Sequence, residues 1–140
     1  MKFGIGVDYS LKALILLAER YPSKPLRVEE IAEAKGIPEN YLRRLLIELK
    51  RSGIVVSQKG PSGGYSLARP PARITMADVV QAVEGDYLST EFLEIGNGRS
   101  EFCAIREVWR EVRESVMEIL KRTTVQQLAD RRRSVESYQI

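Results

Sequence analysis

The 140-residue chain carries 22 Lys and Arg against 19 Asp and Glu, a net charge of +3, and its 44% hydrophobic content suffices for one compact domain or one domain with a dimerising helix. One cysteine and no histidine exclude an intrachain disulfide and any Ser–His or Cys–His nucleophile, and a zinc site would need carboxylates almost alone, so neither metal nor enzyme chemistry is expected. No run approaches the roughly 18 apolar residues of a membrane span, and MKFGIGVDYS lacks a signal-peptide h-region, so a cytoplasmic protein is expected.

Asp8 is a plausible N-cap for a first helix in which Leu11, Leu14, Ile15 and Ala18 form an apolar face. Tyr21-Pro22-Ser23-Lys24-Pro25 ends it, because two prolines and a serine do not continue a helix. Tyr9, Ser10 and Lys12 stand at its front, either as ordinary solvent-facing residues or as contacts to a DNA backbone. Leu26-Arg27-Val28 reads as a small strand, and Glu29 to Lys35 as a short helix packed through Ile31, Ala32 and Ala34. Gly36 supplies the tight turn that joins two helices in a helix-turn-helix.

Ile37-Pro38 runs into the next helix, since proline fits a first turn where its missing N–H has no intrahelical partner to lose. Leu42, Leu45, Leu46 and Leu49 recur at i, i+3, i+4 and i+7 and give one apolar stripe. Glu39, Asn40, Arg43, Arg44, Glu48 and Arg51 fall on the other faces. Gly53 sits where a left-handed residue would end that helix. Ile54-Val55-Val56 then reads as a strand, Lys59 to Gly64 as a loop and Tyr65-Ser66-Leu67 as the returning strand. A short helix, a turn, a leucine-striped helix and a basic-tipped hairpin are the elements of a winged helix-turn-helix, in order.

Thr75 can cap a helix from Met76 to Glu84 that carries Val79, Val80 and Val83, closed by Gly85-Asp86. Tyr87 to Ser100 has no sustained period and reads mostly as loop. From Glu101 to Arg122 the pattern is helical again, with Ile105, Val108, Trp109, Val112, Val116, Ile119 and Leu120 in one stripe that packs on its own domain or on a second copy. Thr123 or Thr124 caps a short last helix, Val125 to Ala129, and Arg131-Arg132-Arg133 begins a tail expected to fray, though three arginines could also reach phosphate. The fold expected is mainly α with a small β-hairpin: a winged helix-turn-helix domain over residues 1–85, and a loop, dimerisation helix and tail over 86–140. Residues 1–73 hold 13 Lys and Arg against 7 Asp and Glu, whereas 74–140 hold 9 against 12, so the basic half is the half with the helix-turn-helix.

GIPENYLRRLLIELKRSGIVVSQKGPSGGYSLARP, ITMADVVQAVEG, CAIREVWREV and TTVQQLA together resemble the bacterial IscR, NsrR and CymR regulators, the Rrf-two family, over nearly the whole chain. The resemblance implies a transcription regulator, a repressor, that pairs as a homodimer through the long helix, with Ile105, Val108, Trp109, Val112, Val116 and Ile119 at the seam. It places Lys59 where the family often has an arginine that enters the minor groove, and Arg43 where IscR-like members often carry a glutamate that helps select sequences. Many relatives hold an iron–sulfur cluster with three cysteines in the loop and long helix. Here Cys103 aligns with the last of them, no cysteine occupies Tyr87 to Phe102, Arg106 stands where some relatives have histidine, and Asp8 matches a carboxylate-ligand position. One thiolate and one carboxylate do not make a ligand set dominated by cysteine, so no cluster and no other cofactor is expected. That brings the chain nearer CymR-like members, which act through a partner enzyme. Cys103 is then either a thiol redox sensor or a small buried hydrophobe.

A recognition helix presents its N-terminal residues to base edges, here Glu39, Asn40, Tyr41, Arg43 and Arg44. Asn pairs bidentately with adenine and Arg with guanine, which puts Asn40 and Arg43 first, while Tyr41 is also spaced like a core residue. In the wing Lys59 and Gly60 would meet the backbone, with Tyr9 a further candidate on the first helix. Double-stranded DNA is the expected partner. The rival is a winged helix used only for docking another protein.

Overall fold

The computed structural model describes residues 4–22, 24–85 and 100–138. The expected loop from Tyr87 to Ser100 therefore falls almost wholly outside the described residues, as does the Cys103 side chain. Among these residues six α-helices and one hairpin follow in order: α1 Ile5–Arg20, α2 Val28–Lys35, α3 Glu39–Arg51, β1 Val55–Gln58, β2 Gly64–Leu67, a 3-10 turn at Pro71–Arg73, α4 Met76–Glu84, α5 Ser100–Arg122 and α6 Val125–Tyr138. No helix among the described residues is long and apolar enough to cross a membrane.

The core gathers where α1, α2, α3 and α4 meet: Leu14, Leu17, Ile31, Leu42, Leu46, Leu49, Ile54, Ile74 and Val79 are all almost fully buried. On α3 the four leucines of the stripe are the four buried residues, as their spacing predicts. The helix ends in a Schellman motif: Ile54 N–H donates to the Leu49 carbonyl at 2.9 Å and Gly53 N–H to Lys50 at 3.0 Å, with Gly53 at φ +75°.

The first helix departs from expectation. It begins at Ile5 with Gly4 as its cap, and Asp8 lies inside the first turn, paired with Lys12 at 2.9 Å. Its buried face is Gly6, Val7, Ser10, Ala13, Leu14 and Leu17, so Ser10 is not a front residue. Gly6 explains the rotation. A Cβ there would lie 2.9 Å from the Tyr41 hydroxyl and 3.2 Å from both Leu45 and Val83, so α1 is drawn against α3 and α4 where its side chains are smallest. In α2 the packing residues are Val28, Ile31 and Ala32, with Ile37 just beyond, while Ala34 is exposed because it falls a third of a turn off that face.

β1 and β2 are antiparallel, with Val55 opposite Leu67 and Gln58 opposite Gly64. Only Leu26 of the expected small strand joins them, exchanging both backbone hydrogen bonds with Tyr65 at 2.9 and 2.7 Å. Gly64, at φ +145°, permits this: a Cβ would stand 2.4 Å from the Leu26 carbonyl oxygen.

Thr75 caps α4 through a reciprocal box, its hydroxyl accepting from Asp78 N–H at 3.1 Å while the Asp78 carboxylate accepts from Thr75 N–H at 3.0 Å. Thr124, not Thr123, caps α6 in the same way with Gln127, at 3.1 and 2.9 Å. The corner between α5 and α6 is fastened to the segment before α4: Met76 N–H donates to the Thr123 carbonyl at 2.8 Å and Val125 N–H to Ile74 at 2.9 Å.

The last helix runs well past Ala129. Ala129 and Val125 are buried as α6 packs along α1, and Arg132 bridges Glu19 of α1 at 3.2 Å and Glu136 at 3.1 Å. The arginine triplet is thus helix, not frayed tail, because a long-range ion pair holds its middle member. Lys35, near the same cluster, has its pKa lowered first by burial and then by the charge of Arg132.

Leu46→Ala removes a fully buried side chain from the centre of this core. It is expected to lower the unfolding free energy by about 2–5 kcal/mol, read by urea denaturation followed by circular dichroism.

Candidate nucleic-acid interface

With its leucines turned inward, α3 presents Glu39, Asn40, Arg43, Arg44, Ile47, Lys50 and Arg51 to solvent. The turn at Gly36 sets α2 across its head, and the hairpin loop from Lys59 to Ser62 is exposed beside it. Two side chains fasten the wing. Arg27, at the head of α2, donates to the Pro61 carbonyl at the wing tip, and Lys50 donates to the Ser57 hydroxyl at 2.7 Å. Neither was foreseeable from periodicity, since each partner lies across a chain reversal.

The charges on this face are mixed. Arg43 donates to Glu29 at 2.7 Å and to Glu39 at 3.4 Å, and Arg51 to Glu48 at 3.0 Å. The Glu29 carboxyl is held below its ordinary value, first by a backbone hydrogen bond and then by Arg43, and the Arg43 guanidinium is raised, chiefly by Glu29. The Asn40 and Lys59 side chains make no hydrogen bond or ion pair among the described residues.

Tyr41 belongs to the packing as much as to the surface. Its ring meets Tyr9 of α1 edge-on, with centroids 5.8 Å apart. Arg44 lies over the Tyr41 ring at 5.2 Å and Lys12 over the Tyr9 ring at 5.9 Å, so a row of cation, ring, ring and cation joins α3 to α1. The structure therefore brings Glu39, Asn40, Arg43, Arg44 and Tyr41 onto one helix, links Tyr9 to them, and sets Lys59 and Gly60 at the wing.

Along α5 the sequence stripe divides. Leu120 is buried against Val7 and Val80, with Val116 partly so, whereas Ile105, Val108, Trp109, Val112 and Ile119 are 39–59% exposed. A row of large apolar side chains thus remains on the outer part of the helix.

A helix-turn-helix with a two-stranded wing is the architecture of DNA-binding winged-helix transcriptional regulators, and known proteins place the chain more narrowly. The chain belongs to the Rrf2 family, whose model, described as an iron-dependent transcriptional regulator, matches residues 4–131. It is 35% identical over 129 residues to the HTH-type transcriptional regulator CymR of Bacillus subtilis (strain 168), covering 92% of this chain and 90% of CymR. It is 31% identical over 136 residues to IscR of Xenorhabdus nematophila, covering 90% of this chain and 83% of that one. Among solved structures, CymR of B. subtilis, described as a global cysteine regulator, superposes with a TM-score of 0.82 at 33% identity, over 93% of this chain and 97% of CymR. IscR of T. potens does so with a TM-score of 0.78 at 28% identity, over 100% and 92%.

The family's iron does not fit this donor set. The chain has one cysteine and no histidine, and Asp8, the other matching position, is salt-bridged to Lys12.

Because Glu29 is lowered in the folded chain, its charge and its pair with Arg43 are lost at lower pH than for an ordinary glutamate. In an NMR titration of side-chain carboxyls, Glu29 is expected to titrate below an ordinary glutamate, and Arg43→Ala to move its midpoint upward.

Proposed function

We propose that the chain is a cytoplasmic repressor that binds an inverted-repeat operator as a homodimer, without an iron–sulfur cluster. Each subunit lays α3 in a major groove, with Asn40 and Arg43 toward base edges, and sets Lys59 and Gly60 of the wing at the neighbouring minor groove. Glu39, Tyr41, Arg44 and Tyr9 flank these contacts. The observation that carries this is the outer side of α3: its polar residues stand exposed beside a wing whose lysine has no partner among the described residues. A narrow minor groove takes arginine better than lysine, so Lys59 contributes affinity more than base preference.

Homodimerisation rests on α5. Ile105, Val108, Trp109, Val112 and Ile119 form an exposed apolar row of the kind that pairs with its own copy across a two-fold axis. Two heads related by that axis read half-sites whose centres lie a multiple of about 34 Å apart.

Genomic fragments bound by the protein supply the operator, and fluorescence anisotropy against salt tests the contact. Log affinity is expected to fall with log salt with a slope of about −0.9 for each phosphate neutralised, and a docking module for another protein shows no such duplex binding. Asn40→Ala is expected to lose about 1–3 kcal/mol of discrimination between matched and mismatched sites, while Lys59→Ala weakens all duplexes alike. Identical profiles for the two variants would contradict these assignments. Transcription in vitro from a promoter bearing the operator falls on adding a repressor; a rise reverses the sign of regulation. Val112→Asp is expected to shift the sedimentation coefficient from dimer to monomer, and an unchanged dimer removes α5 from the seam.

A further inference from the structure

Glu29 is a carboxylate at the head of the first helix of a helix-turn-helix, a position that meets phosphates in such proteins. Helix N-termini attract phosphate, and a carboxylate there opposes it. Its charge disfavours every duplex alike, yet its Oε1 lies 2.7 Å from Nη2 of Arg43, the arginine of α3 placed to reach a base. Glu39 reaches the same nitrogen at 3.4 Å. All three side chains are substantially exposed, at 59% for Glu29, 47% for Arg43 and 44% for Glu39, so solvent screens the attraction and the pair is not locked.

Both contacts use Nη2, whose two hydrogens lie one on each fork of the guanidinium; with Glu29 on one of them, release of the weaker 3.4 Å contact to Glu39 frees the other fork for an incoming acceptor. Two acceptors compete for it. A phosphate is offered by every sequence, but taking it draws the guanidinium away and leaves Glu29 uncompensated beside the DNA backbone. A guanine edge is offered by particular sequences, lies along the groove floor that α3 faces, and accepts donors from Arg43 while Glu29 keeps its own.

Resting on the DNA-binding role proposed above, we infer that Glu29 is a specificity-determining positioning residue that withholds Arg43 from phosphates and keeps it for a base. Without Glu29 the arginine becomes a phosphate clamp. The protein then binds DNA more tightly and reads it less well.

The test uses the full chain with two probes: a duplex that the wild-type protein selects from a randomised pool, and a scrambled duplex of the same composition. Affinities for both are measured against salt for wild type, Glu29→Gln, Arg43→Ala and the double variant. Glu29→Gln is expected to bind the scrambled duplex more tightly, to steepen its log–log salt slope by about 0.9, and to lower the ratio of selected to scrambled affinity about five- to tenfold. In the Arg43→Ala background the same change leaves that ratio where it was. Glu29 is exposed, so its melting curve stays in place and serves as the folding control. An unchanged ratio in Glu29→Gln, or an equal fall with and without Arg43, overturns the role of Glu29 while DNA binding stands. A wild-type protein that selects no sequence from the pool overturns both.

Discussion

The burial of four leucines on α3 is the constraint from which the rest follows. Leu42, Leu45, Leu46 and Leu49 are each at most 6% exposed, and a helix so held on one side has no freedom to rotate about its axis. Residues one position away turn through about 100°, so fixing the leucines also fixes Asn40, Arg43, Arg44 and Ile47 outward. Gly6 of α1 tightens the hold by letting Tyr41, Leu45 and Val83 come close. The surface chemistry of α3 is thus set from beneath, by packing, before any partner arrives.

That surface is less basic than the count of lysines and arginines suggests. Arg43 and Arg51 are each matched by a glutamate, and Arg44 lies on an aromatic ring. Cations that are paired or stacked have less free charge to offer to phosphate. Asn40 and Lys59 stand apart from this pattern. A polar amide and an ammonium without partners among the described residues are the groups with least to give up on meeting a duplex.

Much of this was legible in the sequence wherever the cause is local. The leucine period of α3, its glycine stop and the threonine cap of α4 all depend on neighbours within a few residues. What escaped depends on partners far along the chain. The start of α1 at Ile5 and the burial of Ser10 follow from the crossing with α3, not from any capping signal near Asp8. The extension of α6 to Tyr138 is secured by Arg132 meeting Glu19, a separation of 113 residues that no helical period encodes. Arg27 on the wing tip and Glu29 on Arg43 were missed for the same reason, since 34 and 14 residues separate the partners.

The corner between α5 and α6 matters for how force would pass through the molecule. Backbone hydrogen bonds on both sides of it, from Met76 to Thr123 and from Val125 to Ile74, knit it to the very segment that opens α4, which in turn lies against α3. The base of the long rod and the start of α4 therefore move as one piece, and α4 is in contact with α3.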